Sequence, residues 1–183
     1  MSEASIREAR ADELATLPDI ERSAASLFEG AGQPMDILTS VTPAEVWAPR
    51  QAAGTVWVAD AGTGEPVGFL AAEVFKDELH VWELDVRREA QGQGLGRRLM
   101  AHAIDWARAR GLARLTLTTF RKIAWNAPFY ASLGFREAAG EDLSVRLAEV
   151  LSLEMSKGLD PSNRCAMVLD LHGGPWAHRI GGA

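Results

Sequence analysis

The stretch 84–100 constrains this chain more than any other, because three alternating glycines stand between an apolar segment and an amphipathic one. The glycines are Gly92, Gly94 and Gly96, and Leu95 begins a segment whose apolar residues recur at helical spacing. Glycine lets a ligand approach the backbone closely, and the first N–H groups of a helix have no partner within it. The stretch therefore predicts a strand, a tight turn and a helix N-terminus suited to phosphate oxygens.

The residues that follow the glycines limit which classes of phosphate-binding motif this stretch can be. A P-loop requires Lys and then Ser or Thr after its last glycine, whereas this chain has Arg97 and Arg98. A dinucleotide fingerprint requires a third glycine where Arg97 stands when counted from Gly92. Arginines in the first helical turn oppose the helix dipole, a cost that a bound anion offsets. The spacing thus excludes both common motifs and indicates another anionic ligand.

The hexapeptide 91–96 resembles motif A of the GNAT superfamily of acyl-CoA-dependent N-acetyltransferases. That pattern is Arg or Gln, two residues, Gly, one residue, and Gly or Ala, which Gln91, Gly94 and Gly96 match. A strand end at Leu84 to Val86 precedes it at the family's usual distance. The resemblance implies acetyl-CoA as cosubstrate and no metal. The cofactor-binding residues that it implies are Leu84, Asp85, Val86, Gln91, Gly92, Gln93, Gly94, Leu95, Gly96, Arg97, Asn126 and Phe129.

A second stretch, 126–135, resembles motif B of the same family. Asn126 is followed by the aromatic pair Phe129 and Tyr130, and Gly134 and Phe135 come after the predicted helix. An Asn here in the family commonly bonds the pantetheine arm or a nearby carbonyl, and Asn is also a common helix N-cap. Two motifs in order, separated by a strand–helix–strand unit, strengthen the resemblance.

Acetyl transfer to an amine requires one group that takes a proton and another that gives one. An alkylamine has a pKa near ~10 and is mostly protonated at neutral pH, and the tetrahedral intermediate then expels a thiolate. By resemblance, Tyr130 is the acid at the sulfur. For the base we prefer His80, which falls where several family members place a Glu or His facing the acceptor. Glu83 becomes a second candidate if a bulge in its strand turns it inward, and Glu73 is a third.

The order of predicted elements is similar to the GNAT fold over residues 4–171. This is an α/β fold with a mixed, mostly antiparallel sheet of about seven strands, splayed between the fourth and fifth and flanked by helices. We expect strands at 4–10, 55–60, 67–75, 79–86, 114–120, 135–138 and 164–171. We expect helices at 11–28 (bent at Pro18), after Thr42 as N-cap, and at 95–110, 125–133 and 143–155. The last of these is an addition between the final two strands, where the family has a shorter connection.

Composition bounds the class of protein. With 183 residues, 47% of them apolar, we expect one domain over 1–171 and a flexible tail over 172–183. Cys165 is the single cysteine, which excludes an intramolecular disulfide and favours a cytoplasmic protein, and we interpret it as a core residue. The net charge of −6 argues against a nucleic-acid partner, and no apolar run long enough for a membrane span occurs.

The acceptor is the least determined part of the hypothesis. We expect a primary amine of a small molecule, with a protein lysine or N-terminus as one alternative and a non-catalytic CoA-binding regulator as another. Whether the chain forms a homodimer stays open. Residues expected around the acceptor are Phe28, Glu29, Met35, Asp36, Trp47, Phe75, Asp77 and Trp82.

Overall fold

A computed structural model describes residues 4–28 and 41–171. The strands are β1 Ser5–Glu8, β2 Val56–Asp60, β3 Pro66–Phe75, β4 Glu78–Val86, β5 Arg114–Phe120, β6 Arg136–Glu137 and β7 Arg164–Asp170. The α-helices are α1 Leu17–Ala25, α2 Ala44–Ala52, α3 Leu95–Ala109, α4 Ala127–Ala131 and α5 Val145–Ser156. A 3₁₀ turn, Ala11–Thr16, leads into α1.

The seven strands form one sheet in the order β1-β2-β3-β4-β5-β7-β6, with helices on both faces. One face packs on α3 through a buried cluster that includes Trp57, Leu70 and Leu99. The other packs on α1 and α2 through Ile20 and Trp47 at one end and on α5 at the other. All neighbouring strands are antiparallel except β4 and β5. This confirms the predicted mixed sheet flanked by helices.

The sheet opens between β4 and β5. These strands pair in parallel only from Glu78 to Val81 of β4 and from Arg114 to Leu117 of β5. Beyond Val81, the side of β4 that faces β5 has no strand partner in the described parts of the chain, whereas β5 stays paired with β7 as far as Phe120. The predicted splay is thus confirmed, and it leaves a wedge-shaped opening in the middle of the sheet.

A β-bulge lies in β4 just where the wedge begins. Ala71 of β3 pairs with Glu83 and Ala72 pairs with Val81, so Trp82 is an extra residue. The insertion reverses the alternation of side chains beyond it. Glu83 and Asp85 consequently share the face of His80, the one that packs on α1, instead of the α3 face.

Two local details differ from the sequence-based expectation, and one expectation is not tested. The helix expected over 11–28 is divided into a 3₁₀ turn and α1, and α1 begins one residue before Pro18 because proline suits a first helical turn. Thr42 does not cap α2: Pro43 is the N-cap, and the Thr42 backbone N–H donates to Glu21 Oε2 at 2.9 Å. The expected tail, 172–183, lies outside the described residues.

The added helix α5 is confirmed, with Ser144 as its N-cap accepting from the Leu147 N–H at 3.3 Å. Leu147 is 1% exposed and packs against Ala166 and Val168 of β7. The helix therefore covers β5 and β7 on the same face of the sheet as α1, so the wedge lies between the two helices.

Candidate active site

A cavity of about 810 Å³ occupies the wedge between β4 and β5. Its walls come from α1, β4, the glycine turn, the start of α3, β5, α4 and the ends of α5 and β7. Eleven of the twelve predicted cofactor-binding residues line it: Leu84, Asp85, Val86, Gln91, Gly92, Gly94, Leu95, Gly96, Arg97, Asn126 and Phe129. The exception, Gln93, is exposed and lies outside the lining.

The glycine turn forms the end of the cavity nearest α3. Gly92 and Gly94 have φ values of 74° and 77°, in the left-handed region that favours glycine. A Cβ added at either would meet no atom within 4 Å, so the backbone faces open space. Gln91 supports the turn by donating from Nε2 to the Val86 carbonyl oxygen at 2.9 Å. The first N–H groups of α3 are therefore accessible to an anion.

Cations and aromatic rings flank this turn. Arg97 donates to the Ser132 hydroxyl at 2.8 Å and lies 5.9 Å from the centre of the Phe129 ring. Asn126 stands at the N-cap of α4 without capping it, and its Oδ1 accepts from the Thr119 hydroxyl at 2.8 Å. These contacts hold α4 against α3 and β5.

Two carboxyl groups lie on the opposite wall of the cavity. Glu83 and Asp85 point to the α1 side because of the bulge at Trp82. Burial raises the pKa of Glu83 to about 8, with a further rise from the Glu21 carboxyl on α1. A carboxyl with a pKa near neutrality suits proton removal at physiological pH.

Tyr130 reaches the cavity from α4, as the motif predicted. Its ring packs edge-on against Phe129 and Phe135, with ring centres 5.1 and 5.8 Å away. Burial, together with the nearby Glu83 and Asp85 carboxyls, raises the pKa of the phenol. The hydroxyl therefore stays protonated and is available as a proton donor.

His80 is not part of the cavity wall. Its side chain is 0% exposed, and Nδ1 lies 3.0 Å from the Thr116 hydroxyl of β5. It sits where β4 and β5 are still paired, with Trp82 against its ring at 4.4 Å. Burial lowers the pKa of the imidazole to about 3, an effect strengthened by Arg146. The structure thus differs from the expectation that His80 faces the acceptor.

The third candidate base, Glu73, is also outside the cavity lining. Its Oε2 accepts hydrogen bonds from Arg50 at 2.5 Å and from the Trp82 indole at 2.9 Å. These two bonds tie α2 to β3 and β4. Glu73 holds Trp82 in place from behind the cavity wall.

Of the residues expected around the acceptor, Phe28 and Trp82 line the cavity. Trp47 is buried in the core, and Phe75 and Asp77 lie towards the other end of β4. Glu29, Met35 and Asp36 fall outside the described residues. Sequence reasoning missed several lining residues, namely Glu21, Thr118, Phe120, Trp125, Glu154 and Arg164. Glu21 could have been identified from the sequence, because it follows Leu17 by four residues and is therefore a charged residue within the apolar stripe of α1.

The family follows from comparison with known proteins. The model of the acetyltransferase (GNAT) family matches residues 20–135, well over half of the chain. The chain belongs to the GNAT family. Both stretches that carry the resemblance, 91–96 and 126–135, fall within the matched region, and so does the splayed part of β4.

Individual relatives agree with this membership. The [ribosomal protein bS18]-alanine N-acetyltransferase of Escherichia coli is 39% identical over 75 residues, which are 41% of this chain and 51% of that protein. N-acetyltransferase 8F1 of Mus musculus is 28% identical over 107 residues, which are 54% of this chain and 48% of that protein. The chain thus spans about half the length of the curated relatives it matches.

Solved structures share the fold. The crystal structure of the E. coli ribosomal-protein-S18-alanine N-acetyltransferase superposes with a TM-score of 0.66 at 22% identity, covering 98% of this chain and 99% of that one. The PaiA N-acetyltransferase of Thermoplasma acidophilum, solved in complex with coenzyme A, gives 0.65 at 15% identity over 93% and 99%. In the described parts of the present chain, no helix has the length and apolarity of a membrane span.

Proposed function

We propose that this chain is an acetyl-CoA-dependent N-acetyltransferase that acetylates a primary amine. The observation that supports this most strongly is the shared cavity. It is lined by a glycine turn at a helix N-terminus, by the Glu83 carboxyl, whose pKa is raised to about 8, and by Tyr130. The relative solved with coenzyme A points to the same cosubstrate.

We assign each group a role in the reaction from its position in the cavity. When bound, acetyl-CoA supplies a thioester whose acetyl carbon an amine attacks. The N–H groups at the start of α3 and Arg97 hold the phosphates, while the unpaired edge of β4 at Leu84 and Val86 accommodates the pantetheine arm. Glu83 takes the proton of the ammonium group, and Tyr130 donates its hydroxyl proton to the departing sulfur. Glu83 replaces His80 as the base in this proposal because Glu83 lines the cavity.

A small-molecule amine is the acceptor that the shape of the site favours. Glu154 and Leu159, at and after the end of α5, line the cavity and narrow it on the β7 side. The wall near α1 is acidic and aromatic, with Glu21 beside Phe28, Phe120 and Trp125. Such a wall suits a cationic amine that carries an apolar group.

The α-amine of a protein N-terminus is a second candidate, supported by the similarity to the bS18-alanine enzyme. A non-catalytic role is less consistent with the cavity, because both an acid and a base line it. The test is a rate comparison of CoA thiol release with small primary amines and with peptides that have a free N-terminal alanine. The same peptides with an acetylated N-terminus serve as control. Faster turnover of the free peptides would overturn the small-molecule assignment, and turnover with neither class would overturn both.

A further inference from the structure

One titratable group at the site, the half-buried Asp85, has no role in the mechanism above. Asp85 lies two residues after Glu83 on the same strand, beyond the bulge, so the two carboxyl groups share a face and both line the cavity. The Asp85 Oδ2 atom is buried and has no hydrogen-bond partner among the described residues. An orphaned buried carboxyl oxygen is costly and requires a physical explanation.

The groups around the pair do not neutralise two negative charges. Glu21 faces it from α1, Tyr130 from α4, Glu154 from α5 and Arg164 from β7. Arg164 is the cation of this set, and its Nη2 atom pairs with Glu154 Oε1 at 2.7 Å and contacts the Thr118 hydroxyl at 3.3 Å. Two ionised carboxylates this close together and near Glu21 would repel each other, which raises the pKa of one of them.

A shared proton removes the difficulty. Two ionised carboxylates only accept hydrogen bonds, so they bond to each other only when one of them carries a proton. The side chains of Glu83 and Asp85 lie close enough to shift each other's pKa, and their interaction favours the charged form of Glu83 and the neutral form of Asp85. Burial is the largest cause that raises the pKa of Asp85 well above its ordinary value, followed by the charges of Glu83 and Glu21.

We propose that Asp85 is a positioning residue for Glu83, whose carboxylate accepts a hydrogen bond from the protonated Asp85 carboxyl at the acceptor wall. This inference rests on the proposed function, in which Glu83 is the base. The Asp85 proton stays on Asp85 throughout, and the pair carries one negative charge before it accepts the proton of the amine. Asp85 thereby orients the basic oxygen and keeps Glu83 ionised at a lower pH than burial alone would allow.

The test is the pH dependence of kcat for three variants, measured at saturating acetyl-CoA and amine. Asp85→Asn keeps a neutral donor, so the rising limb of the profile stays in place. Asp85→Leu removes the donor, so the rising limb moves to higher pH by about one to two units. A shift of this size corresponds to the loss of one hydrogen bond to a charged group. Glu78→Gln is the matched control, because Glu78 is on the same strand but outside the cavity lining; this variant leaves the limb unchanged.

A downward shift in both Asp85 variants would show that Asp85 is ionised and would overturn the proposal. An unchanged limb in Asp85→Leu would overturn it as well, because a purely structural role lowers kcat without moving the limb. Melting temperature and CoA affinity identify variants that do not fold. If Asp85→Leu does not fold, Asp85→Asn alone still decides. If Asp85 is ionised in the wild-type protein, Asn removes a negative charge and the rising limb moves to lower pH. If Asp85 is protonated, Asn keeps a neutral donor and the limb stays in place.

A measurement without turnover separates this inference from the proposed function. At a pH above the Glu83 pKa of about 8, where Glu83 is ionised, the infrared spectrum should show the C=O stretch of the protonated Asp85 carboxyl in the wild-type protein, and Asp85→Asn should remove it. A protein that acetylates amines but lacks this band would contradict the shared proton and leave the proposed function intact. A protein with the band but without acetylation would contradict only the proposed function.

Discussion

Tyr130 of α4 and Glu83 of β4 both line the cavity, and the Glu83 carboxyl lies near enough to raise the pKa of the Tyr130 phenol. Tyr130→Phe removes only the hydroxyl and keeps the ring contacts with Phe129 and Phe135. We expect kcat to fall about 100-fold to 10,000-fold, the usual contribution of a positioned acid, while CoA binding stays unchanged. Steady-state kinetics and calorimetric titration with CoA measure the two quantities. An equal loss of both would contradict the separation of roles.

Glu83 gives a prediction about pH. Its pKa is about 8, so the active, ionised form increases as pH rises through that value and kcat rises with it. Glu83→Gln should lower kcat about 100-fold or more and remove this rising limb. His80→Gln is the comparison, because His80 is fully buried away from the cavity and already neutral. Should the limb vanish in His80→Gln and persist in Glu83→Gln, the assignment of the base would be reversed.

Two glycine turns, one before α3 and one between β2 and β3, have similar backbone conformations and can be compared by the same substitution. Gly94 and Gly64 have φ values of 77° and 86°, and neither has an atom within 4 Å of an added Cβ. Valine at either position is strained by about 1–2 kcal/mol. Of Gly94 and Gly64, only Gly94 lines the cavity. Gly94→Val should therefore abolish CoA binding, whereas Gly64→Val should preserve it. If both variants bind CoA equally, the turn is not the phosphate site.

The added helix α5 gives a stability prediction. Leu147 is 1% exposed against β7, whereas Leu153 on the same helix is 59% exposed. Leu147→Ala should cost about 2–5 kcal/mol of unfolding free energy, and Leu153→Ala about 0.5 kcal/mol or less. Urea denaturation measures both values. Similar costs for the two leucines would show that α5 does not pack as described.

The sequence predicted the elements well where periodicity is strong, and the site where two motifs mark it. The glycine turn, Asn126 and Tyr130 all line the cavity, because their spacing along the chain is fixed by the turn and by α4. The face of the sheet on which Glu83 lies was harder to predict. Strand alternation alone assigns faces only if the strand is regular, and the extra residue at Trp82 changed the face of Glu83. Glu154 was missed because α5 adds it from a distant part of the chain.

Across the whole of the described chain, the two faces of one splayed sheet carry different groups. In the proposed function, the α3 face holds the anionic cosubstrate, and the face between α1 and α5 carries Glu83 and Asp85. The net charge of −6 favours approach of a cationic amine, while the helix N-terminus and Arg97 provide local positive potential for phosphate. The wedge between β4 and β5 is where the two meet.

In the proposed function, acetyl groups pass from CoA to amines within this wedge. The most direct test incubates the purified protein with acetyl-CoA and a panel of primary amines and quantifies the CoA thiol and the acetylated amine together. We expect equal amounts of the two products, formed only when both substrates are present and strongly reduced in Tyr130→Phe. Thiol release that is independent of the amine, or no acetylated product from any primary amine, would contradict the proposed function.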